Sequence, residues 1–256
     1  MGMDEATLFA FLLVFVRASA MMLATSVFGG NIPVILRVFA AGAISAAVTP
    51  VVMGGFGPPP EHLAALWAAV GREAAAGLLI GMMLQLVVLT FQQAGSILDL
   101  QIGFSTSQVL NPATGIMTTI LAHFKSMLAV VLILLLNGHH VALRAFADSY
   151  AMSPSFGFDN LGAWVGGLVE LIGRFAWLAI QIAAPAAGVA VIIDAAAGLA
   201  NKAVPQMQVV LVSLPAKVLT GVVVMGIALP LTVAAVEQGV STAFSMMETV
   251  LRTAGK

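Results

Sequence analysis

Ala74 to Phe91 is a run of eighteen residues without a single charge. It is not alone. Ala6 to Phe28 is apolar apart from Arg17 and a few small polar residues, and Val34 to Phe56 carries only Arg37, near its start. A helix needs about 20 such residues to cross the roughly 30 Å of hydrocarbon in a bilayer, so each run is about the length of a crossing. These runs cannot be the wetted surface of a soluble domain. Charged residues are 8% of the 256, and hydrophobic residues are 61%. Soluble domains carry roughly one quarter charged residues. The mean hydropathy of +1.07 points the same way. The fold class expected is therefore all-α: an integral membrane protein of apolar helical hairpins, with broken helices and an irregular central loop. No polar linker divides the chain, so one domain over residues 1–256 is expected.

The charge balance excludes other classes. A formal net charge of -1 gives no strong pull toward nucleic acid or an anionic surface. The absence of cysteine removes disulfides and thiolate metal sites. Met1 to Glu5 holds two acids and no base, the reverse of the basic start of a secretory signal. The first apolar run is thus expected to be kept as a working helix.

Breaks divide the rest. Gly29-Gly30-Asn31-Ile32-Pro33 ends the first run, and Gly57-Pro58-Pro59-Pro60 ends the second, because consecutive prolines remove backbone donors. A third helix is predicted from near Glu61 through Arg72 and Glu73. Gln92 to Thr119 changes character: it is rich in Gln, Ser, Thr, Asn and Gly, with no clean helical stripe. Irregular backbone cannot face lipid, where unsatisfied N–H and C=O groups are too costly. That segment must line a wet cavity, pack inside protein or lie outside the membrane. Ile120 to Leu136 resumes as helix, Asn137-Gly138 is a stop, and His139 to Met152 reads as a short amphipathic helix. After a Pro/Gly/Asp loop, Leu161 to Ala200 is long enough for a helical hairpin, with Pro185 and Gly188 as its bend. Val204 to Val236 is interrupted by Pro215, Lys217 and Pro230, and a more polar terminal helix is expected over Glu237 to Lys256.

Six charges lie within or beside apolar blocks: Arg17, Arg37, Arg174, Asp194, Lys202 and Lys217. A charge at the bilayer centre costs about 2.5–3.5 kcal/mol on insertion scales. Arg37 and Lys202, near block ends, can snorkel to headgroups. Arg17 sits mid-block and calls for a carboxylate or a partner chain. Lys217 follows Pro215, where a broken helix would face a polar interior. Catalytic signatures are missing: there is no HExxH, no GxSxG and no phosphate-cradling glycine loop. Adjacent His139 and His140 point to different sides of a helix, and His62 and His123 have no ligand-spaced partner. No enzyme, cofactor or metal is expected. Gly77 and Gly81, spaced as GxxxG, serve close helix packing, and the fourteen methionines mostly fill gaps in packing.

Four stretches carry a resemblance, the shortest being LNGHH, Leu136 to His140, at a helix end. FVRASAMMLATSVFGGNIPVILRV, Phe15 to Val38, contains the arginine and the later proline of a first hairpin. Gly71 to Gly115 holds an Arg-Glu pair, the GxxxG helix, and a Gln-x-x-Gly…Asp-x-Gln-x-Gly signature on Gln92 or Gln93, Gly95, Asp99, Gln101 and Gly103. NKAVPQMQVVLVSLPAKVLTG, Asn201 to Gly221, carries a basic residue, Pro-Gln and Pro-x-Lys on Lys202, Pro205, Gln206, Pro215 and Lys217. Together these resemble the FliR family, the R components of type III export gates, and its virulence-secretion relatives, over nearly the whole chain. Gln208, Ser213 and Lys202 depart mildly from the usual pattern.

The resemblance implies a subunit of the flagellar protein export gate in the bacterial inner membrane, at the flagellar basal body. It implies FliP-like and FliQ-like gate partners, a FlhB-like switch protein, and unfolded flagellar proteins as cargo. It also implies a pore-plugging loop, which falls by position on Gly103 to Gly115, with Gly103, Phe104, Ser105, Thr106, Ser107, Asn111, Pro112 and Gly115 as its residues. Interior or interface positions are implied for Arg17, Asp99, Gln101, Lys202, Pro205, Gln206, Pro215 and Lys217. The family's gate is raised out of the membrane plane, so hydropathic spans need not be literal ones. Alternatives remain: a solute transporter using Asp99, Asp194 and Arg174 as coupling charges, a virulence-type secretion homologue, or a scaffold subunit.

Overall fold

The computed structural model describes residues 5–29, 32–103, 120–152, 161–203 and 209–254, and every element among them is helical. In chain order these are α1 (Glu5–Ala24), α2 (Ser26–Gly29), α3 (Val34–Val52) with a 3-10 turn at Met53–Gly55, α4 (Leu63–Ile102), α5 (Ile120–Leu135), α6 (Gly138–Met152), α7 (Leu161–Ala203), α8 (Val209–Ile227) and α9 (Leu229–Ala254). By length and composition, four helical segments among the described residues can cross a membrane: Glu5–Ala24, Val34–Gly55, Leu63–Ile102 and Gly166–Ala203. The total is up to six if each of two bent helix pairs, α5 with α6 and α8 with α9, counts as one span.

The central polar stretch is partly helix. α4 does not end near Phe91; it continues to Ile102. The stripe that drives it is visible in the burial of Leu84, Val87, Phe91, Ala94, Leu98 and Ile102, spaced three or four apart. Gln92 and Gln93 lie on the opposite, exposed side. Polar side chains outside the stripe do not interrupt a helix whose inner face stays apolar. With 40 residues α4 is about 60 Å long at 1.5 Å per residue, about twice the hydrocarbon thickness.

Leu161 to Ala203 is likewise one helix of 43 residues rather than a hairpin, with Pro185 inside it. Phe175, Ala179, Ile182, Ala183, Ala186 and Ala190 are buried at helical spacing on both sides of the proline. The core-facing stripe keeps its register through the lost hydrogen bond, so a proline that would end a marginal helix is accommodated. In the last block the break falls at Ala228 rather than after Val236, so Glu237 lies inside α9 and Pro215 lies inside α8. Pro230 sits in the first turn of α9, where a missing N–H costs least.

Two compact units make up the chain. The first comprises residues 1–87, 133–172 and 239–256, and the second residues 88–132 and 173–238. In the first unit α1 packs on α3. α1 turns Ala10, Leu13, Val14, Arg17, Ala18 and Met21 inward, whereas α3 buries only Ala41, Ser45 and Thr49. The two hydroxyls satisfy themselves within α3, on the carbonyls of Ala41 and Ser45, both at 2.6 Å. The rest of α3, including Val34, Ile35, Phe39 and Val51, is exposed on the chain by itself. Asn137, at φ 57°, ends α5 in the left-handed conformation, and its carbonyl receives the His140 amide at 2.9 Å as α6 begins.

Candidate functional site

Two polar clusters stand out in these apolar helices, one in each unit. In the first unit, Arg17 of α1 is 1% exposed. Its Nε donates to Glu73 Oε2 at 2.6 Å, and its Nη2 donates to Glu73 Oε1 at 3.0 Å, a two-pronged ion pair with α4. Nη1 donates to Ser149 Oγ of α6 at 2.7 Å, and that hydroxyl donates on to the Phe146 carbonyl at 2.6 Å. The guanidinium carbon lies 3.7 Å from the centre of the Tyr150 ring, whose hydroxyl donates to Glu73 Oε2 at 3.3 Å. Phe56 and Phe146 meet Tyr150 edge-on. A buried charge with this many partners ties α1, α4 and α6 together, and losing one partner leaves the other charge uncompensated.

Small residues make the approach possible. A Cβ at Gly77 would overlap the Arg17 carbonyl oxygen and sit 2.9 Å from Ala20 Cβ; at Gly81 it would overlap the Met21 carbonyl oxygen. The GxxxG spacing therefore sits where α4 touches the α1 backbone, one turn beyond Glu73. One turn further, Gln85 Oε1 accepts from the Ser26 amide at 2.7 Å and the Ser26 hydroxyl at 2.9 Å, holding the start of α2.

The second unit holds the Asp-x-Gln-x-Gly signature. Asp99 is 1% exposed, and its two carboxylate oxygens accept the amides of Leu121 and Ala122, each at 3.1 Å. Those are first-turn amides of α5, which have no partner within their own helix. A carboxylate suits that site both as acceptor and as a negative charge on a helix N-terminus. Gly95 lies one turn earlier on α4. A Cβ there would meet Ala122 N and Leu121 O at 2.6 Å, so only glycine allows α5 this close. The Asp99 carbonyl receives the Gly103 amide at 3.2 Å, and Gly103, at φ 93°, ends α4. Lys217 Nζ of α8 donates to the Gln101 carbonyl at 3.2 Å and pairs with Asp194 of α7. Its positive charge faces the C-terminal end of α4, the favoured sign there. Gly221, one turn beyond Lys217, packs under the Ile102 side chain.

The structure thus brings Asp99, the Gln101 carbonyl, Gly103 and Lys217 together at the end of α4, with Asp194 added. Arg17 lies in the other unit. Lys202 is exposed on the chain by itself, and Arg37, half-buried, donates to the Ile32 carbonyl at 3.0 Å. Phe104, Ser105, Thr106, Ser107, Asn111, Pro112 and Gly115, together with Pro205 and Gln206, lie outside the described residues. Glu73 was within reach of sequence reasoning, because it and Arg17 are opposite charges in two apolar stretches that each need a partner. Ser149, Tyr150 and Gln85 carry no comparable signal. The His139 and His140 rings lie 4.2 Å apart, and no group of three or more metal-ligating side chains occurs among the described residues.

Comparison with known proteins puts these clusters in a family. Residues 8–243 match the model of the bacterial export proteins, family 1. The chain is 28% identical to the flagellar biosynthetic protein FliR of Bacillus subtilis, over 96% of both chains. It is 29% identical to FliR of Caulobacter vibrioides, over 85% of this chain and 87% of that one. It is also 29% identical to the surface presentation of antigens protein SpaR of Shigella sonnei, over 75% of this chain and 71% of that one. With the match running through both units and both clusters, this chain belongs to family 1 of the bacterial export proteins, the family of FliR.

Proposed function

We propose that this chain is the R-type subunit of a flagellar type III protein export gate, forming with P- and Q-type subunits the channel through which unfolded flagellar proteins leave the cell. The observation that carries this is the similarity to FliR of Bacillus subtilis over 96% of both chains. The whole chain acts as one subunit, it is not an enzyme, and its place is the bacterial inner membrane at the flagellar basal body, near a FlhB-like switch protein. The exposed apolar side chains support an assembled state: Phe39, Val51, Trp67, Leu219 and Ile227 are each more than half exposed on the isolated chain. Residues Gly103 to Gly115 close the resting pore. In support, this stretch begins where α4 ends and precedes α5, whose start Asp99 holds.

The test is purification of the tagged chain from its native membranes under mild detergent. Co-isolation of P- and Q-type subunits, together with loss of flagellar export when the gene is deleted, is the expected outcome. A stable, monodisperse monomer that binds a small solute would instead identify a transporter and end this proposal.

A further inference from the structure

Arg72 stands next to the Arg17–Glu73 pair in the chain but takes no part in it. Arg17 engages both oxygens of Glu73, and the Tyr150 hydroxyl donates to Oε2 as well. Among the described residues, nothing forms a hydrogen bond or ion pair with Arg72, the exposed acids Glu5 and Glu61 included. Two guanidiniums against one carboxylate leave a positive charge uncompensated. Arg72 is half-buried, and with Glu73 it lines a cavity of about 260 Å³ in the first unit. Much of the remaining wall is apolar: Phe9 and Leu13 of α1, Phe56 and Pro58 of the loop after α3, and Ala69 of α4. A cation half withdrawn from water among such groups favours an anionic partner.

A second cavity, of about 470 Å³, adjoins the first. Its walls come from α3, through Ala47, Val48 and Val51, and from the end of α6, through Ala147, Asp148 and Tyr150. Gly55 lines both cavities. The Phe56 ring of one and the Tyr150 ring of the other meet edge-on, with centroids 5.8 Å apart. A cationic pocket is thus continued by a largely aliphatic groove. Both lie where the membrane-length segment Val34–Gly55 ends and the exposed Glu61 and His62 follow. Trp67, on α4 shortly before Arg72, is 69% exposed. Exposed tryptophans gather at the boundary between hydrocarbon and headgroups. A cation beside an aliphatic groove at that level matches the two halves of a phospholipid.

We propose that these adjoining cavities form a phospholipid site: Arg72 donates to the phosphate of an anionic headgroup, and an acyl chain lies in the groove between α3 and α6. The inference rests on the membrane-helix fold and not on the export-gate reading. Ordinary snorkelling of Arg72 into a fluid headgroup layer would need no cavity. Filling the cavity while keeping the charge therefore separates a built site from a surface cation.

The experiment uses the full chain, purified from its native membranes in mild detergent with the subunits that accompany it. Native mass spectrometry counts bound lipid while dioleoyl phosphatidylglycerol or dioleoyl phosphatidylcholine is titrated in. The parent is expected to hold phosphatidylglycerol the more tightly. Inorganic phosphate, and glycerophosphoglycerol (the same headgroup without acyl chains), are expected not to displace it. Arg72→Gln is expected to lower phosphatidylglycerol affinity roughly tenfold, through loss of one charge-assisted hydrogen bond. Arg72→Lys keeps the charge and should recover most of the affinity. Ala69→Leu fills the cavity with Arg72 in place and should weaken binding as Arg72→Gln does. Equal retention by the parent, Arg72→Gln and Ala69→Leu overturns the proposal. Weakening by Arg72→Gln but not by Ala69→Leu reduces Arg72 to a surface cation and overturns it too. Displacement by inorganic phosphate or glycerophosphoglycerol would assign the pocket to a free anion instead of a lipid. Release of an accompanying subunit by Arg72→Gln, with lipid retention unchanged, would assign it to a partner's carboxylate; either result ends the proposal. If Arg72→Gln does not accumulate, Ala69→Leu decides alone, and unchanged retention in that variant overturns the site.

Discussion

Gly77 stands against the carbonyl oxygen of Arg17 with no room for a Cβ between them. Arg17 therefore meets α4 twice: its backbone touches Gly77, and its side chain pairs with Glu73 one turn earlier. Close backbone approach and buried charge are parts of one joint. The glycine lets the helices come near enough for a guanidinium to engage both carboxylate oxygens, and the ion pair fixes the register at which the glycine is needed.

Glu73→Ala is expected to destabilise the assembled protein by about 3–5 kcal/mol, since it leaves Arg17 buried without its carboxylate. Removing both charges, as Arg17→Met with Glu73→Met, should cost far less than the sum of the single changes. Thermal unfolding of the purified complex, run as a double-mutant cycle, checks this. Additive single effects would mean that the pair is not energetically coupled.

Gly77→Val should cost about 3 kcal/mol or more by forcing α1 and α4 apart. Gly71→Val on the same helix is the control, because a Cβ at Gly71 meets nothing within 4 Å. Abundance of the chain in membranes is the readout. Equal abundance for the two variants would contradict the close approach.

Gln85→Leu is expected to weaken the protein by about 1–3 kcal/mol, because the Ser26 amide and hydroxyl both lose their acceptor in part-buried surroundings. Since Gln85 holds the start of α2, proteolysis should first appear around residues 25–33. Cleavage unchanged there would show that another group caps Ser26.

Asn137→Gly should be tolerated to within about 0.5 kcal/mol, whereas Asn137→Val should cost about 1–2 kcal/mol, because φ 57° is strained for a β-branched residue. The measurement is the unfolding midpoint of the complex. Equal midpoints for both variants would remove the left-handed cap as the cause of the break before Gly138.

The sequence by itself determined the class of this molecule. Uncharged runs such as Ala74 to Phe91 have only lipid or protein as a tolerable surrounding, so an all-helical membrane chain follows from length and hydropathy alone. The need of Arg17 for a partner was legible too, since a mid-block charge is too costly to leave unpaired. What it pairs with was not: Glu73 is 56 positions away and Ser149 is 132, and no periodicity links them. Polar residues and prolines do not by themselves mark where these helices end. Gln92 to Ile102 remained helical, and Pro185 lies inside α7, because each helix is held by a buried stripe that tertiary packing provides. The Asp-x-Gln-x-Gly signature showed only that something constrained those positions. The fold decided what: Asp99 caps a helix that begins 21 residues later, and the Gln101 carbonyl, rather than its side chain, receives Lys217. Backbone groups have no letter in the sequence, so the hydrogen bonds they make emerge only when distant helices are brought side by side.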